Sequence, residues 1–211
     1  MRLLTSFVTS AASETQFPVP GAPEIAFLGR SNVGKSSLIN SLLGEKVAKT
    51  SSTPGRTRTI NFFAVRRPGK PKTEWMFADL PGYGYAKLSK ERTAEWPKFI
   101  EPYLQQRPGL ALCIVLVDTN IPPQTNDKQM IEWLQHVGRP YLVVGTKSDR
   151  VSGNQLRNNV AALLTQHAIE RVLPFSTKTG KGREELWAEI RIAAERLTAA
   201  SFEPDAEAAN G

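Results

Sequence analysis

At 211 residues and 40% hydrophobic content, the chain suits one α/β domain with a full core, not a disordered segment. Its single cysteine, Cys113, excludes an internal disulfide, and no apolar run approaches the roughly 20 residues that a membrane span needs. A formal charge of +7 favours an anionic partner.

Met1-Arg2-Leu3-Leu4 opens like a secretory leader, but Thr5, Ser6, Thr9 and Ser10 interrupt the apolar core early. Residues 1–23 therefore read as an N-terminal extension of a cytoplasmic protein. The first predicted strand, 24–29, runs into Gly29-Arg30-Ser31-Asn32-Val33-Gly34-Lys35-Ser36, and a helical pattern follows over 35–44. G-x-x-x-x-G-K-S between strand and helix is a phosphate-binding loop. Its glycines let the backbone curl so that N–H groups and the helix start face a polyphosphate. Lys35 would reach the β- and γ-phosphates, and the Ser36 hydroxyl would hold Mg2+. A Gly-rich helix cap is the plainer alternative, and it leaves Lys-Ser unexplained.

Residues 45–58 are polar, with Thr-Pro-Gly turn chemistry, and read as a segment that bound nucleotide can order. Strands near 59–66 and 73–79 flank the turn Arg66-Arg67-Pro68-Gly69-Lys70-Pro71-Lys72, an early hairpin. The second strand ends in Asp79-Leu80-Pro81-Gly82. A carboxylate there suits Mg2+ through water, and Gly82 lets the backbone approach a γ-phosphate. Residues 81–92 read as a second nucleotide-sensitive segment. Tyr83 and Tyr85 within it could stack on bases or pack internally, and packing is preferred.

A helix over 90–107, a strand over 111–118, a helix over 124–137 and a strand over 140–146 follow. Thr146-Lys147-Ser148-Asp149 lies at that last strand's end. The Asp149 carboxylate can accept from N1–H and the 2-amino group of guanine, whereas adenine offers neither donor. Lys147 can lay its stem over the base. Third in order after the phosphate loop and D-x-P-G, this motif points to GTP. A helix over 153–167, a strand over 170–175 and a helix over 182–200 complete the ordered chain. The alternation implies a six-stranded, mostly parallel sheet with one antiparallel strand, flanked by helices on both faces. Residues 201–211 read as an acidic disordered tail.

Several of these stretches resemble one family closely. Gly29 to Ser37, Ser51-Ser52-Thr53-Pro54-Gly55-Arg56-Thr57-Arg58-Thr59-Ile60-Asn61-Phe62-Phe63, Asp79 to Ala86, Thr146 to Asp149, and Phe175-Ser176-Thr177-Lys178 are similar to the Ras-like P-loop G domains of the Era/TrmE superfamily, and within it to the EngB (YihA/YsxC) GTPases. The resemblance implies a G domain over 24–200, with Gly55, Arg56, Thr57, Arg58 and Thr59 at the nucleotide. It further implies Thr57 as a second Mg2+ ligand and Phe175, Ser176 and Thr177 as the guanine-side loop. It also implies a monomeric bacterial factor for assembly of the large ribosomal subunit, linked to septation. Thr146 stands where the wider superfamily has Asn, and the EngB family commonly has Thr.

The hydrolytic residue is not legible. Tyr83 follows Asp-Leu-Pro-Gly, where Ras has the glutamine that orients water, so slow intrinsic hydrolysis is expected. Asn32 matches a position where some relatives hold K+ against the phosphates, and loop geometry explains the same residue. Arg56 and Arg58 read as solvated loop charges before arginine fingers. A GTP-holding module with negligible turnover, or a P-loop kinase or ATPase, are the other function classes, and Thr-Lys-Ser-Asp argues against the last. Glu203, Asp205 and Glu207 contribute −3, leaving +10 on the residues before them. That excess gathers at Arg66, Arg67, Lys70 and Lys72, and at Lys87, Lys90, Arg92 and Lys98. It favours rRNA, with a merely solubilising surface as the alternative. His136 and His167 have no second ligand at metal spacing, and Trp96, Trp133 and Trp187 read as packing residues.

Overall fold

A computed structural model describes residues 2–48, 59–83 and 100–200. Gly55, Arg56, Thr57 and Arg58, the second segment beyond Tyr83, the Lys87, Lys90, Arg92 and Lys98 cluster, and the acidic tail lie outside those residues.

Two strands carry the centre of the sheet. β2 (Glu24–Gly29) and β5 (Leu110–Asp118) are apolar along almost their whole length and buried on both faces, as strands sandwiched between helical layers must be. β1 (Leu4–Ala11), β3 (Ile60–Arg66), β4 (Trp75–Asp79), β6 (Tyr141–Thr146) and β7 (Val172–Pro174) complete a seven-stranded sheet in the order β1-β3-β4-β2-β5-β6-β7. β3 pairs antiparallel with both β1 and β4, and the pairs from β4 to β7 are parallel, so β3 is the one reversed strand.

The seventh strand is the departure from the sequence reading. Leu4–Ala11, expected as part of an extension, forms the sheet edge beside β3. Only Ala11 at its end is fully buried, and the register slips between Phe7 and Thr9. A bulged edge strand with one face in solvent loses the strict alternation that identifies strands. Phe7 meets Phe63 edge-on at 5.9 Å between ring centroids.

Helices α1 (Lys35–Leu43) and α5 (Arg183–Ala200) cover one face, where Phe27, Phe77 and Trp187 join the core. Helices α2 (described over 100–106), α3 (Thr125–His136) and α4 (Gly153–His167) cover the other, around Phe62, Tyr103 and Ile131. α4 starts at Ser152, whose hydroxyl accepts from the Gln155 N–H. α1 stops at Gly44, whose φ of 75° is the left-handed conformation glycine adopts freely. Its C-terminal carbonyl at Leu42 accepts from the indole N–H of Trp187 and from Arg183, tying α1 to α5.

Where α4 packs on α3, His167 is 2% exposed and its ring nitrogens meet no partner of hydrogen-bonding geometry among the described residues. Burial pushes its pKa below the ordinary 6.5, against a smaller upward pull from the Gln166 backbone. Below about pH 6.5 the unfolded chain then binds a proton that the folded chain refuses, so stability falls as pH falls through that window. His167→Leu should flatten this limb, removing a slope of up to about 1.4 kcal/mol per pH unit in denaturation curves taken as pH falls below about 6.5. An unchanged pH dependence would place the titrating group elsewhere.

Candidate functional site

Every parallel strand named by the motifs delivers its last residue to the same edge of the sheet. Gly29 ends β2, Asp79 ends β4, Asp118 ends β5 and Thr146 ends β6. Open α/β sheets bind ligands at such an edge.

The phosphate loop turns there on two unusual backbone angles, φ 65° at Asn32 and φ 107° at Gly34. Asparagine tolerates the left-handed region better than most residues, so loop geometry accounts for Asn32. The first bond inside α1 runs from the Leu38 N–H to the Gly34 carbonyl. The N–H groups of Lys35 and Ser36 therefore have no acceptor within the helix and point out of its start, where an anion is favoured. Lys35 Nζ forms an ion pair with Asp79, and both side chains are largely buried. Ser36 is half-buried on the same turn. A hydroxyl and a carboxylate are hard oxygen donors of the kind Mg2+ takes, so the residues fit that ion.

Beyond Asp79 the chain is fastened to the phosphate loop by its backbone. Leu80 N–H donates to the Phe27 carbonyl, Tyr83 N–H to that of Gly29, and Ser31 N–H to that of Tyr83. Arg30 and Tyr83 thereby form an isolated parallel bridge. Pro81 is buried, and Gly82 passes so close that a Cβ would lie 3.0 Å from the nitrogen and hydroxyl of Ser31. The Tyr83 ring turns away from this edge. It is buried at 9% exposure, and its hydroxyl donates to Asp127 Oδ1 at 3.0 Å. Packing, the preferred reading for Tyr83, is what the structure contains. Thr59, at the start of β3, donates to Asn61, whose register partner is Asp79.

The Thr146 hydroxyl lies 2.7 Å from the Val33 carbonyl and 3.1 Å from that of Val117, donating from the base-side strand into the phosphate loop. Lys147, at φ 59°, donates to the Asn32 carbonyl at 3.0 Å and pairs with Asp118 at 2.6 Å. Ser148 N–H donates to the Phe175 carbonyl, and Phe175 N–H to that of Gly145. Asp149 is exposed, with Oδ1 accepting from the Ser176 hydroxyl at 2.6 Å. That bond holds the Asp149 carboxyl below the usual carboxylate range, so it is ionised at neutral pH. Ser176 is itself fixed: its hydroxyl also accepts from the Lys178 and Thr179 N–H groups, and Thr177 lies exposed beside it.

Two supporting residues escaped the sequence reading. Asp118 was legible only as a strand end. Thr119, fully buried, donates its hydroxyl to the Thr146 carbonyl at 2.8 Å, while Asn159 on α4 donates to the Thr119 carbonyl. Neither belongs to a local motif, because both act across β5, β6 and α4.

A family model described as a 50S ribosome-binding GTPase matches residues 24–147. Over 194 residues the chain is 66% identical to the "Probable GTP-binding protein EngB" of Koribacter versatilis (strain Ellin345), covering 92% of this chain and 96% of that protein. The crystal structure of a probable GTP-binding protein engB is similar at TM-score 0.64 and 24% identity, over 82% of this chain and 99% of that one. Era, solved in complex with MgGDPNP and nucleotides 1506-1542 of 16S ribosomal RNA, is similar at TM-score 0.64 and 24% identity, over 80% of this chain and 55% of that one. The two solved structures share the α/β fold described above.

Proposed function

This chain belongs to the EngB family of GTP-binding GTPases, and on that premise we propose that it is a cytoplasmic assembly factor for the large ribosomal subunit that turns over GTP slowly on its own. The observation that carries the nucleotide reading is the meeting of three groups at one sheet edge. These are the helix start at Lys35 and Ser36, the Asp79 carboxylate, and the Asp149 carboxylate poised by Ser176.

Ser36, with Asp79 through water, would hold Mg2+, which when bound neutralises charge on the β- and γ-phosphates. Lys35 would exchange its pairing with Asp79 for the phosphates. The Thr57 ligand and any K+ at Asn32 rest on the family resemblance alone. Slow turnover is supported by Tyr83, whose hydroxyl is committed to Asp127 and so does not orient water. Phosphate release measured with and without large subunits separates a slow switch from a GTP-holding module. Turnover that stays negligible in both would favour the module.

The subunit reading is supported by family membership and by the charge of +10 before the tail. Lys70 and Lys72 are exposed on the β3–β4 turn, whereas Arg67 is paired with Glu74. We expect binding to large subunits to require the GTP-loaded form and to weaken steeply with salt, as counterion release demands. Neutralising Lys87, Lys90 and Arg92 should lessen the salt slope by about one for each phosphate no longer neutralised, without altering GTP affinity. Neutralising Lys70 and Lys72 tests the β3–β4 turn as the competing surface. Co-sedimentation that ignores nucleotide, salt and both clusters would remove the electrostatic argument. The septation link is an expectation from the family, to be checked by depletion and cell-length measurement.

A further inference from the structure

Tyr83 is held at both ends by different parts of the fold. Its backbone is stitched to Gly29 and Ser31 on either side of Arg30, at the root of the phosphate loop. Its side chain runs to the other face of the sheet and ends on Asp127, 2% exposed, in the first turn of α3. A phenol buried in this way stays protonated, because burial and the Asp127 charge both raise its pKa well above 10, so it is a donor at any working pH. Moving the Gly82–Tyr83 backbone by a hydrogen-bond length would pull the hydroxyl off a buried carboxylate. Leaving such a group unpaired is costly.

We propose that Asp127 is a positioning residue for the nucleotide site: through the Tyr83 hydroxyl it fixes the backbone of Gly82 and Tyr83 against the phosphate loop, so discrimination of GTP from GDP depends on a side chain of α3 that touches no nucleotide. The inference rests on the nucleotide reading above. It goes beyond it by assigning α3 a share in sensing the γ-phosphate.

The groups around the carboxylate give the link a pH signature. Burial raises the Asp127 pKa to about 6, with Asp118 pushing the same way, while the Tyr83 hydrogen bond and the positive charge of Arg30 oppose it. An ionised carboxylate accepts a stronger hydrogen bond than a protonated one, so the link tightens as pH rises through about 6.

The test measures affinities of GDP and of a non-hydrolysable GTP analogue, with Mg2+, for the full chain and for Tyr83→Phe, Asp127→Asn and the double variant. Tyr83→Phe should lower the ratio of GTP-analogue to GDP affinity by about 5- to 10-fold, the lower end of typical coupling between sites, and Asp127→Asn, which keeps a neutral acceptor, should lower it by less. The double variant should lose no more than Tyr83→Phe alone, since Tyr83→Phe removes the hydrogen bond that Asp127→Asn only weakens. In the wild type the ratio should climb between about pH 5 and 7, and in Asp127→Asn it should stay flat. Asp127→Asn keeps the shape of the carboxylate, so it serves where a larger change fails to fold. If the wild type binds neither nucleotide, the nucleotide reading fails and this inference with it. If the wild type binds both, and the variants shift only the melting temperature while keeping the ratio and its pH profile, the positioning role alone is overturned.

Discussion

Replacing Glu24 with Ala should remove about 3–5 kcal/mol of folding stability, which is the usual cost of breaking one side of a buried ion pair. Glu24 is the first residue of β2 and is 2% exposed. One carboxylate oxygen accepts from Arg107 Nε at 2.8 Å and Nη2 at 2.5 Å, and the other accepts from Tyr103 Oη at 2.9 Å. Arg107 Nη2 also donates to the Pro18 carbonyl at 2.5 Å, and its guanidinium lies 5.8 Å from the Phe17 ring centroid. One carboxylate thus joins the central sheet, α2 and the segment after β1. Removing it leaves a guanidinium and a phenol buried without their acceptor, in a fold whose whole margin is on the order of 5–15 kcal/mol. Urea denaturation followed by tryptophan fluorescence reads the loss. Glu24→Gln, which retains an acceptor, should lose less. The phosphate loop lies at the far end of β2, so the folded fraction should keep wild-type nucleotide affinity. A loss under about 1 kcal/mol would show that water replaces the carboxylate at little cost.

Asp149→Asn should cut GTP affinity by about two to four orders of magnitude and raise affinity for XTP. The range follows from two charge-assisted bonds at about 1.5–3 kcal/mol each, against 1.4 kcal/mol per decade. Xanthine presents a carbonyl where guanine has its 2-amino group, so an amide donor suits it better than a carboxylate. Ser176→Ala is the companion variant. It should weaken GTP less, because the carboxylate survives but loses the hydroxyl that holds Oδ1. Competition titration with GTP and XTP decides the matter. Wild-type GTP affinity in Asp149→Asn, with XTP still rejected, would falsify the base-reading role.

Local sequence signals carry most of this architecture, and the exceptions share a cause. β2, α1, α3, α4 and α5 fall within a residue or so of the ranges read from periodicity and caps, because each has a continuous apolar pattern bounded by Gly, Ser or Pro. β1 escapes such a reading because Thr5, Ser6, Thr9 and Ser10 carry no burial pattern, and its pairing depends on β3, 49 to 62 residues away. The phosphate loop and Thr146–Asp149 are legible because their chemistry is local. Tyr83 is legible as an absent glutamine, but its attachment to Asp127 spans 44 residues and leaves no mark in either neighbourhood. Glu24 with Arg107, and Thr119 with Asn159, are likewise pairs that only the folded sheet brings together.

The bonds from Thr146 to Val33 and from Lys147 to Asn32 tie the base side and the phosphate side into one frame. Asp149 takes no part in that frame, since its partner is Ser176 on the neighbouring loop. If Asp149 reads the base as proposed, the residue that chooses the base lies outside that frame, and the residues of the frame choose nothing. Nucleotide preference would then be a replaceable part: a change at one exposed position would give a protein driven by XTP, with the phosphate chemistry inherited unchanged.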